Sequence, residues 1–266
     1  MLLAIDVGNT QILLAVYDGH EFFEHWRLAT NAERTSDEYA VLVRQFLREG
    51  SRGDGGEHDP VHIDGVAISS VVPRATAALR SMATKYFKLD PVVVEPGTKT
   101  GMPILIDNPR EVGADRIVNA IGAYDLYGGP TIVVDFGTAT TLDAVSAKGE
   151  YLGGAILPGI DISMDALFQR ADRLSRVELV EPRSVIGKST TEALQSGAIY
   201  GFAGQVDAIV HRMEDELGEC TVLATGGLSS LIARFSETIQ HLDPWLTLHG
   251  LRIVYERNAG PIGGER

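Results

Sequence analysis

Two stretches decide the fold of this chain, DVGNT at residues 6–10 and DFGTATT at residues 135–141. Each follows an apolar run and offers an acid, a glycine and hydroxyl or amide side chains before a second strand-like run begins. The acid marks the tip of a strand, and the glycine lets the backbone turn closely around a ligand. A single Asp-x-Gly turn is more often an ordinary hairpin, but its recurrence favours a duplicated half-molecule with one phosphate loop in each half. Two such turns facing each other would hold a polyphosphate and its cations.

Composition bounds the class of protein. The chain has 266 residues and is 44% hydrophobic, enough for a substantial core in one large or two modest domains. It opens without a basic leader, and no apolar stretch approaches the roughly 20 residues that span a bilayer. Cys220 is the only cysteine, which excludes an intrachain disulfide and a multi-cysteine metal site, and the seven histidines lack metal-ligand spacing. We therefore expect a cytoplasmic protein with no membrane partner.

The net charge of the chain further limits the classes of partner that it can bind. The formal net charge of −13, without a cluster of Lys and Arg, argues against a nucleic-acid surface. Neither phosphate loop contains Lys or Arg, so a Walker-type loop is excluded. The charge of a bound nucleotide must then be met by backbone N–H groups and by cations.

The order of elements also repeats. Apolar periodicity predicts three strands and a helix in each half, with a capping box at Thr35 to Glu38 starting the first helix. The predicted strands are 2–7, 11–17, 22–28, 66–72, 92–94, 132–135, 140–146, 151–156 and 222–224, and the predicted helices are 36–47, 73–87, 116–126, 160–170, 190–216 and 248–256. Residues 49–60 read as an exposed loop and 258–266 as a frayed tail. We expect domains at 1–115 and 116–246, with 247–266 a helix that packs back on the first domain, followed by the tail.

The chain resembles a known family in several motifs that occur in the expected order over most of its length. These are residues 6–10, GADR at 113–116, residues 135–141, GGAI at 153–156 with Pro158-Gly159, and ATGG at 224–227. Together they resemble type III pantothenate kinase, a bacterial enzyme of coenzyme A biosynthesis. The resemblance implies an α/β fold of two duplicated ribonuclease-H-like domains, as in actin, Hsp70 and the acetate and sugar kinases, with a nucleotide cleft between them. It implies ATP-dependent phosphorylation of pantothenate to 4′-phosphopantothenate, Mg²⁺, a monovalent cation such as K⁺ or NH₄⁺, and a homodimer.

Residues 113–116 (GADR) contain our candidates for binding the phosphoryl acceptor and activating its hydroxyl. Asp115 is our candidate for the group that takes or orients the proton of the attacking hydroxyl, near a helix N-terminus whose dipole favours the carboxylate. The alternative is that Asp115 only caps the helix. A guanidinium suits the carboxylate of pantothenate, so Arg116 is a candidate contact, with a surface salt bridge as the alternative. The family similarity implies substrate contact for Gly113, Arg116 and Thr190, although Thr190 could instead cap the helix that follows it.

The two acidic turns, residues 6–10 and 135–141, contain our candidates for binding the nucleotide and its cations. Asp6 is expected to hold Mg²⁺ through water, because hard cations prefer oxygen ligands, while Gly8, Asn9 and Thr10 meet the phosphates. The resemblance implies that Asp135 binds the monovalent cation and Thr138 contacts ATP. It also implies that Gly226 and Gly227 lie against the adenosine, where an ordinary strand-to-helix turn is the alternative.

One position departs from the family pattern. Many members carry an aromatic residue before the acid-Asn-Pro segment, and Ile106 stands there in this chain. An isoleucine can form an apolar wall but not a phenolic hydrogen bond. A kinase of the same fold with another small-molecule acceptor is therefore one rival, and a catalytically weak nucleotide-binding regulator is the other. The presence of Asp6, Asp115 and Asp135 argues against the regulator.

Overall fold

The structure is a computed structural model that describes residues 1–50, 61–171, 174–260 and 262. The chain divides into two compact units. The first unit comprises Met1–Gly101, Arg110–Gly122 and Thr247–Arg266. The second unit comprises Met102–Pro109 and Ala123–Leu246.

The first unit is built on a five-stranded sheet in the order β3-β2-β1-β4-β5. β1 pairs antiparallel with β2 and parallel with β4, so it is the central strand. β3 extends the antiparallel side and β5 the parallel side. The bounds are β1 Leu2–Val7, β2 Gln11–Asp18, β3 Glu21–Ala29, β4 Gly65–Ser70 and β5 Val92–Val93.

Successive side chains of β1 point to opposite faces of the sheet, and both faces are buried. Leu3, Ile5 and Val7 of β1 pack with the helices α1 (Ser36–Gly50) and α2 (Pro73–Met82) in one hydrophobic cluster. Leu2 and Ala4 are equally buried on the opposite face. Helix α7 (Leu246–Ala259) reaches that face, because Tyr255 lies where a side chain on Gly65 would project.

Local signals set the helix ends of the first unit. The predicted capping box is confirmed: Glu38 N donates to Thr35 Oγ1 over 3.3 Å, and Thr35 N donates to Glu38 Oε2 over 2.8 Å. Pro73 begins α2, which continues as a π-helical turn over Ala83–Phe87. Helix α3 (Ala114–Tyr127) begins two residues before its predicted start.

The second unit repeats the same sheet. Its five strands run in the order β10-β9-β6-β7-β8, so β6 takes the place of β1, β7 of β2, β8 of β3, β9 of β4 and β10 of β5. β6 is antiparallel to β7 and parallel to β9. The bounds are β6 Thr131–Phe136, β7 Ala139–Val145, β8 Tyr151–Pro158, β9 Thr221–Thr225 and β10 His241–Leu242. The duplicated half-molecule predicted from the sequence is thereby confirmed.

Three helices cover one face of the second sheet. They are α4 (Ile160–Arg170), α5 (Thr190–Leu217) and α6 (Ser229–Ile232). Their apolar residues join Ile132, Val134 and Phe136 of β6 in one core cluster. Asp207 on α5 anchors the segment after α6, since Thr238 N and Oγ1 donate to its Oδ1 over 3.2 and 2.8 Å.

The predicted tail and the predicted loop 49–60 each overlap the end of a helix. The predicted frayed tail from 258 is wrong at its start: Asn258 lies in α7, accepts from Lys99 N over 3.1 Å and donates to Lys99 O over 2.9 Å. In the predicted loop 49–60, Gly50 ends α1 and residues 51–60 lie outside the described residues. Across the described part of the chain, no helix combines the length and apolarity needed to cross a bilayer.

Candidate functional site

The first acidic turn joins β1 to β2. Asp6 is the fifth residue of β1, half-buried, and its register partners are Leu13 on β2 and Ser69 on β4. The turn closes with a hydrogen bond from Gly8 N to Gln11 O of 3.0 Å. The carboxylate thus stands at the carboxyl end of the central strand, beside the turn.

The residue after β3 braces this turn. Thr30 N donates to Thr10 O over 2.9 Å, and Thr30 Oγ1 donates to Gly8 O over 2.7 Å. Asn9 and Thr10 remain exposed at the tip. The turn therefore has a hydrogen-bonded backbone and exposed polar side chains at its tip.

The second acidic turn joins β6 to β7 and follows the same plan. Asp135 is the fifth residue of β6, and the two strands share one pattern of four buried residues, a half-buried acid and a buried residue. Gly137 N donates to Ala139 O over 3.1 Å. The residue after β8, Gly159, donates its N–H to Thr138 O over 3.2 Å, just as Thr30 does in the first unit. The Thr138 side chain is exposed.

Gly226 brings the predicted adenosine segment against this second turn. Its φ is +91°, and a Cβ there would lie 2.5 Å from Asp135 Oδ1 and 2.7 Å from Phe136 N. Glycine is therefore required at this position, both for its backbone conformation and for space. A Cβ on Gly227 would meet no atom within 4 Å, which leaves open space beside its backbone. The structure thus brings Asp135 and Gly226 together in the second unit.

Asp115 occupies the first turn of α3. The helix begins at Ala114, and Gly113 O accepts its first hydrogen bond, from Ile117 N over 3.3 Å, so Gly113 holds the capping position. The Asp115 carboxylate accepts a hydrogen bond from Arg116 N over 2.8 Å within this first turn, so its role as a helix cap stays an alternative. A Cβ on Gly113 would lie 2.5 Å from Asp115 Oδ1, so the glycine leaves room for the carboxylate.

The environment of Asp115 changes its acidity. Burial raises the pKa of the carboxyl above its ordinary value, against the opposing hydrogen bond from Arg116 N (2.8 Å) and the charge of Arg116. Burial therefore affects this pKa more than the favourable contacts at the helix N-terminus, which the sequence analysis expected to stabilise the carboxylate. A carboxylate with a raised pKa is a better proton acceptor near neutral pH.

Thr190 and Ile106 lie in the second unit. Ser189 caps α5 by accepting from Glu192 N over 3.2 Å, so the alternative role of Thr190 as the cap is wrong. Thr190 is the exposed first residue of the helix. Ile106 packs beside β8, where its Cγ2 lies 3.4 Å from the position of a Cβ on Gly153.

Sequence reasoning missed three residues near these turns. It quoted Pro158-Gly159 as a motif but gave Gly159 no role, although the brace on Thr138 needs its close approach. It also left Asp143 without a role, and the structure buries that carboxylate with Tyr151 Oη donating to Oδ1 over 2.6 Å. Ser69 was passed over as part of an apolar strand. For Asp143 and Ser69, the available signal in the sequence was a polar residue inside an otherwise apolar strand.

The donor chemistry near Asp6 suits a magnesium ion held largely by phosphates. Within the described ranges, no group of three His, Cys, Asp or Glu side chains could hold a metal ion by itself. Mg²⁺ in phosphoryl-transfer sites is bound by one or two carboxylates, waters and substrate phosphates rather than by a protein cage. A lone half-buried carboxylate at a strand end fits that manner of binding.

Comparisons with known proteins agree with these motifs. Residues 2–212 match the family model described as type III pantothenate kinase. Type III pantothenate kinase of Streptomyces avermitilis is 56% identical over 263 residues, covering 97% of this chain and 98% of the relative. That of Moorella thermoacetica is 56% identical over 260 residues, covering 97% of this chain and all (100%) of the relative.

Solved structures show the fold. The activator of 2-hydroxyisocaproyl-CoA dehydratase from Clostridium difficile, with bound ADPNP, aligns with a TM-score of 0.55 at 12% identity, covering 96% of each chain. A ROK family protein from Streptococcus pneumoniae also aligns with a TM-score of 0.55 at 12% identity, covering 96% of this chain and 98% of that one. At such identities the likeness concerns the fold alone, and it confirms the predicted duplicated α/β class.

Proposed function

The chain belongs to the type III pantothenate kinase family, and from this premise we propose how its residues carry out the transfer of a phosphoryl group from ATP to pantothenate. The enzyme is an ATP-dependent kinase of coenzyme A biosynthesis. The product is 4′-phosphopantothenate, formed at the primary hydroxyl of the acceptor. The observation that carries the proposal is the half-buried Asp115 beside the capping Gly113 at the start of α3.

Asp115 acts as the proton acceptor. Phosphoryl transfer asks little covalent chemistry of the protein, so positioning and proton removal from the attacking hydroxyl are the main contributions. The raised pKa of Asp115 brings it closer to the working pH, where a positioned base is most effective. The oxygen of the primary alcohol attacks the γ-phosphorus while its proton passes to the Asp115 carboxylate. The bond between the γ-phosphorus and the β–γ bridging oxygen breaks, and ADP leaves.

The residues proposed to contact the substrate are Gly113 and Arg116 of the first unit and Thr190 of the second unit. The Arg116 guanidinium suits the carboxylate of pantothenate, because a planar fork of N–H donors matches two carboxylate oxygens. Gly113 allows close approach of the backbone, and Thr190 offers an exposed hydroxyl at the start of α5. Ile106 supplies an apolar wall in place of the aromatic residue common in the family.

The two acidic turns bind the nucleotide. Gly8, Asn9 and Thr10 meet the phosphates in one turn and Thr138 in the other, with Gly226 and Gly227 against the adenosine. Asp6 would hold Mg²⁺ through water, and the bound ion would supply charge neutralisation at the phosphates. Asp135 holds the monovalent cation, K⁺ or NH₄⁺. Support for cation dependence comes from the net charge of −13 and from loops that lack Lys and Arg.

We also propose a cytoplasmic homodimer. Exposed apolar side chains lie on β8 and α4 of the second unit, where Ile156 is 65% and Ile162 48% accessible. Exposed apolar side chains of this kind suit contact with a second copy. Light scattering on the purified protein checks this, with a mass of two chains expected and a mass of one chain contradicting it.

An acceptor panel tests the proposed function. Purified protein is incubated with ATP, Mg²⁺ and K⁺ and either pantothenate or another small alcohol, and the products are identified by mass spectrometry. We expect 4′-phosphopantothenate as the main product. Phosphorylation of a different acceptor but not pantothenate would overturn the proposal and point to the altered wall at Ile106.

A further inference from the structure

The hydroxyl of Ser69 is a buried polar group without a hydrogen-bond partner. Ser69 is 0% exposed, and its Oγ bonds to no atom of the described residues. Leaving a buried hydroxyl unsatisfied costs folding free energy, whereas an alanine at the same place does not. Packing alone therefore gives no reason for a serine here.

Ser69 lies beside the acid of the first turn. It is the register partner of Asp6 on the parallel strand β4, and paired residues of neighbouring strands project to the same face. Neighbouring strands are about 4.8 Å apart, so the two side chains are within reach of each other. The next residue, Ser70, projects to the opposite face, where its Oγ accepts from Val72 N over 3.1 Å.

The second unit repeats this placement of a hydroxyl next to an acid. Thr225 on β9 is the register partner of Asp135 and is only 2% exposed. Both strands are otherwise apolar in their buried stretches, with Val66, Ala67 and Ile68 before Ser69 and Val222 to Ala224 before Thr225. The hydroxyl thus accompanies the acid in both copies of the fold.

We propose that Ser69 is a positioning residue for Asp6. A change of its χ1 rotamer turns the hydroxyl toward β1, where it donates a hydrogen bond to one carboxylate oxygen of Asp6 when Mg²⁺ and ATP are bound. This bond would hold the Asp6 carboxylate in one orientation for the hydrated ion. This inference rests on the proposed function, specifically on the role of Asp6 toward Mg²⁺.

The Ser69→Ala variant separates this role from packing. Because the hydroxyl has no partner, its removal should leave the melting temperature equal to or above that of the wild type. Because groups behind a metal ligand typically change metal affinity by 10–100-fold, the Mg²⁺ concentration at half-maximal effect should rise about tenfold. Two readouts report it: the Mg²⁺ dependence of kcat, and the Mg²⁺ dependence of the shift in melting temperature caused by ATP. The KM for pantothenate should not change.

Two further variants complete the test. Ser70→Ala is the matched control: it loses the bond from Val72 N, so its melting temperature should fall while its Mg²⁺ dependence stays that of the wild type. Ser69→Cys keeps the size of the side chain with a much weaker donor, and it should show the same Mg²⁺ defect. It also serves if the alanine variant does not fold.

The outcomes are distinct. A wild-type Mg²⁺ dependence in both Ser69→Ala and Ser69→Cys would overturn the role of Ser69, and so would a defect of equal size in Ser70→Ala. Failure of the proposed function would look different. In that case the wild type would form no phosphopantothenate, although the effect of Mg²⁺ and ATP on its melting temperature could still be measured.

Discussion

The two units share a device for presenting an acid but use it in different surroundings. In both, the acid is the fifth residue of the central strand, and the first residue after the third strand donates its N–H to the turn. In the first unit the turn gains a second bond, from Thr30 Oγ1 to Gly8 O. In the second unit, the backbone of Gly226 lies so close to Asp135 that there is no room for a Cβ. The first unit also holds Arg110–Gly122, which carries Asp115. The acidic turn is thus present in both units, whereas Asp115 has no counterpart in the duplicated strand order.

The largest expected effect comes from Asp115, the acid outside the duplicated part. Asp115→Asn should lower kcat by at least about 10²-fold, the low end for a positioned base, while ATP affinity stays nearly intact. Steady-state kinetics with pantothenate and calorimetry with ATP measure the two quantities. A variant as active as the wild type would remove Asp115 from the mechanism.

The pH dependence of Asp115 follows from its raised pKa. The wild-type kcat should fall as the pH drops through a midpoint above about 3.9, the ordinary value for aspartate, because the base must be ionised. The stability effect has the opposite sign. A folded-state pKa above the unfolded one means that ionisation destabilises the fold, so stability is lost as the pH rises through the folded pKa.

Melting curves can check that sign. At low pH the wild type and Asp115→Asn should melt at similar temperatures, and at neutral pH the asparagine variant should melt at the same or a higher temperature. The relevant comparison is the difference between the two proteins from about pH 4 to about pH 8. A wild type that gains stability over the asparagine variant as the pH rises would show that the pKa of Asp115 is lowered.

Asp6 and Asp135 hold equivalent positions and should differ in the ion that each serves. Asp6→Asn should raise the Mg²⁺ requirement about tenfold or more, and Asp135→Asn should do the same for K⁺. Titrations of activity with each ion at saturating levels of the other measure both requirements. Identical shifts for both ions in both variants would mean that the two turns are not specialised.

The glycines beside the two acids should differ in their tolerance of a side chain. Gly226→Ala should cost at least about 2 kcal/mol of unfolding free energy, because φ is +91° and the added Cβ meets Asp135 Oδ1 at 2.5 Å. Gly8→Ala should stay within about 1 kcal/mol, since its Cβ meets only Gln11 O at 3.2 Å. Urea unfolding of both variants gives the comparison, and equal costs would contradict it.

The smallest expected effect concerns the extra brace of the first unit. Thr30→Val keeps the shape of the side chain but removes the bond to Gly8 O, so it should cost about 1 kcal/mol. The backbone bond from Thr30 N to Thr10 O remains. Urea unfolding measures the loss, and an unchanged free energy of unfolding would show that the backbone bond alone braces this turn.

Much of the fold could be predicted because local and repeated signals agree. The acid-glycine turn occurs twice, and its apolar flanks fix both central strands. The capping box places the start of α1. Pattern alone did not give the short strand β10, because the two-residue strand His241–Leu242 is exposed and carries no apolar period.

The environment of the candidate site was harder to predict because it depends on contacts between distant residues. The acid motif located Asp115, but only the packing around α3 shows that burial decides its pKa. Likewise, Ser69 lies 63 positions from Asp6 along the chain, and only the β1 to β4 register places them side by side. Gly159 and Thr138 meet through the same kind of long-range pairing.

A single-turnover experiment tests the central claim most directly. Enzyme in excess over labelled ATP, with Mg²⁺ and K⁺, is mixed with pantothenate, quenched at short times and analysed for labelled products. The account predicts that the label passes to 4′-phosphopantothenate in the wild type and does so at least about 10²-fold more slowly in Asp115→Asn. Label that appears only as inorganic phosphate, or that reaches pantothenate equally fast in both proteins, would contradict it.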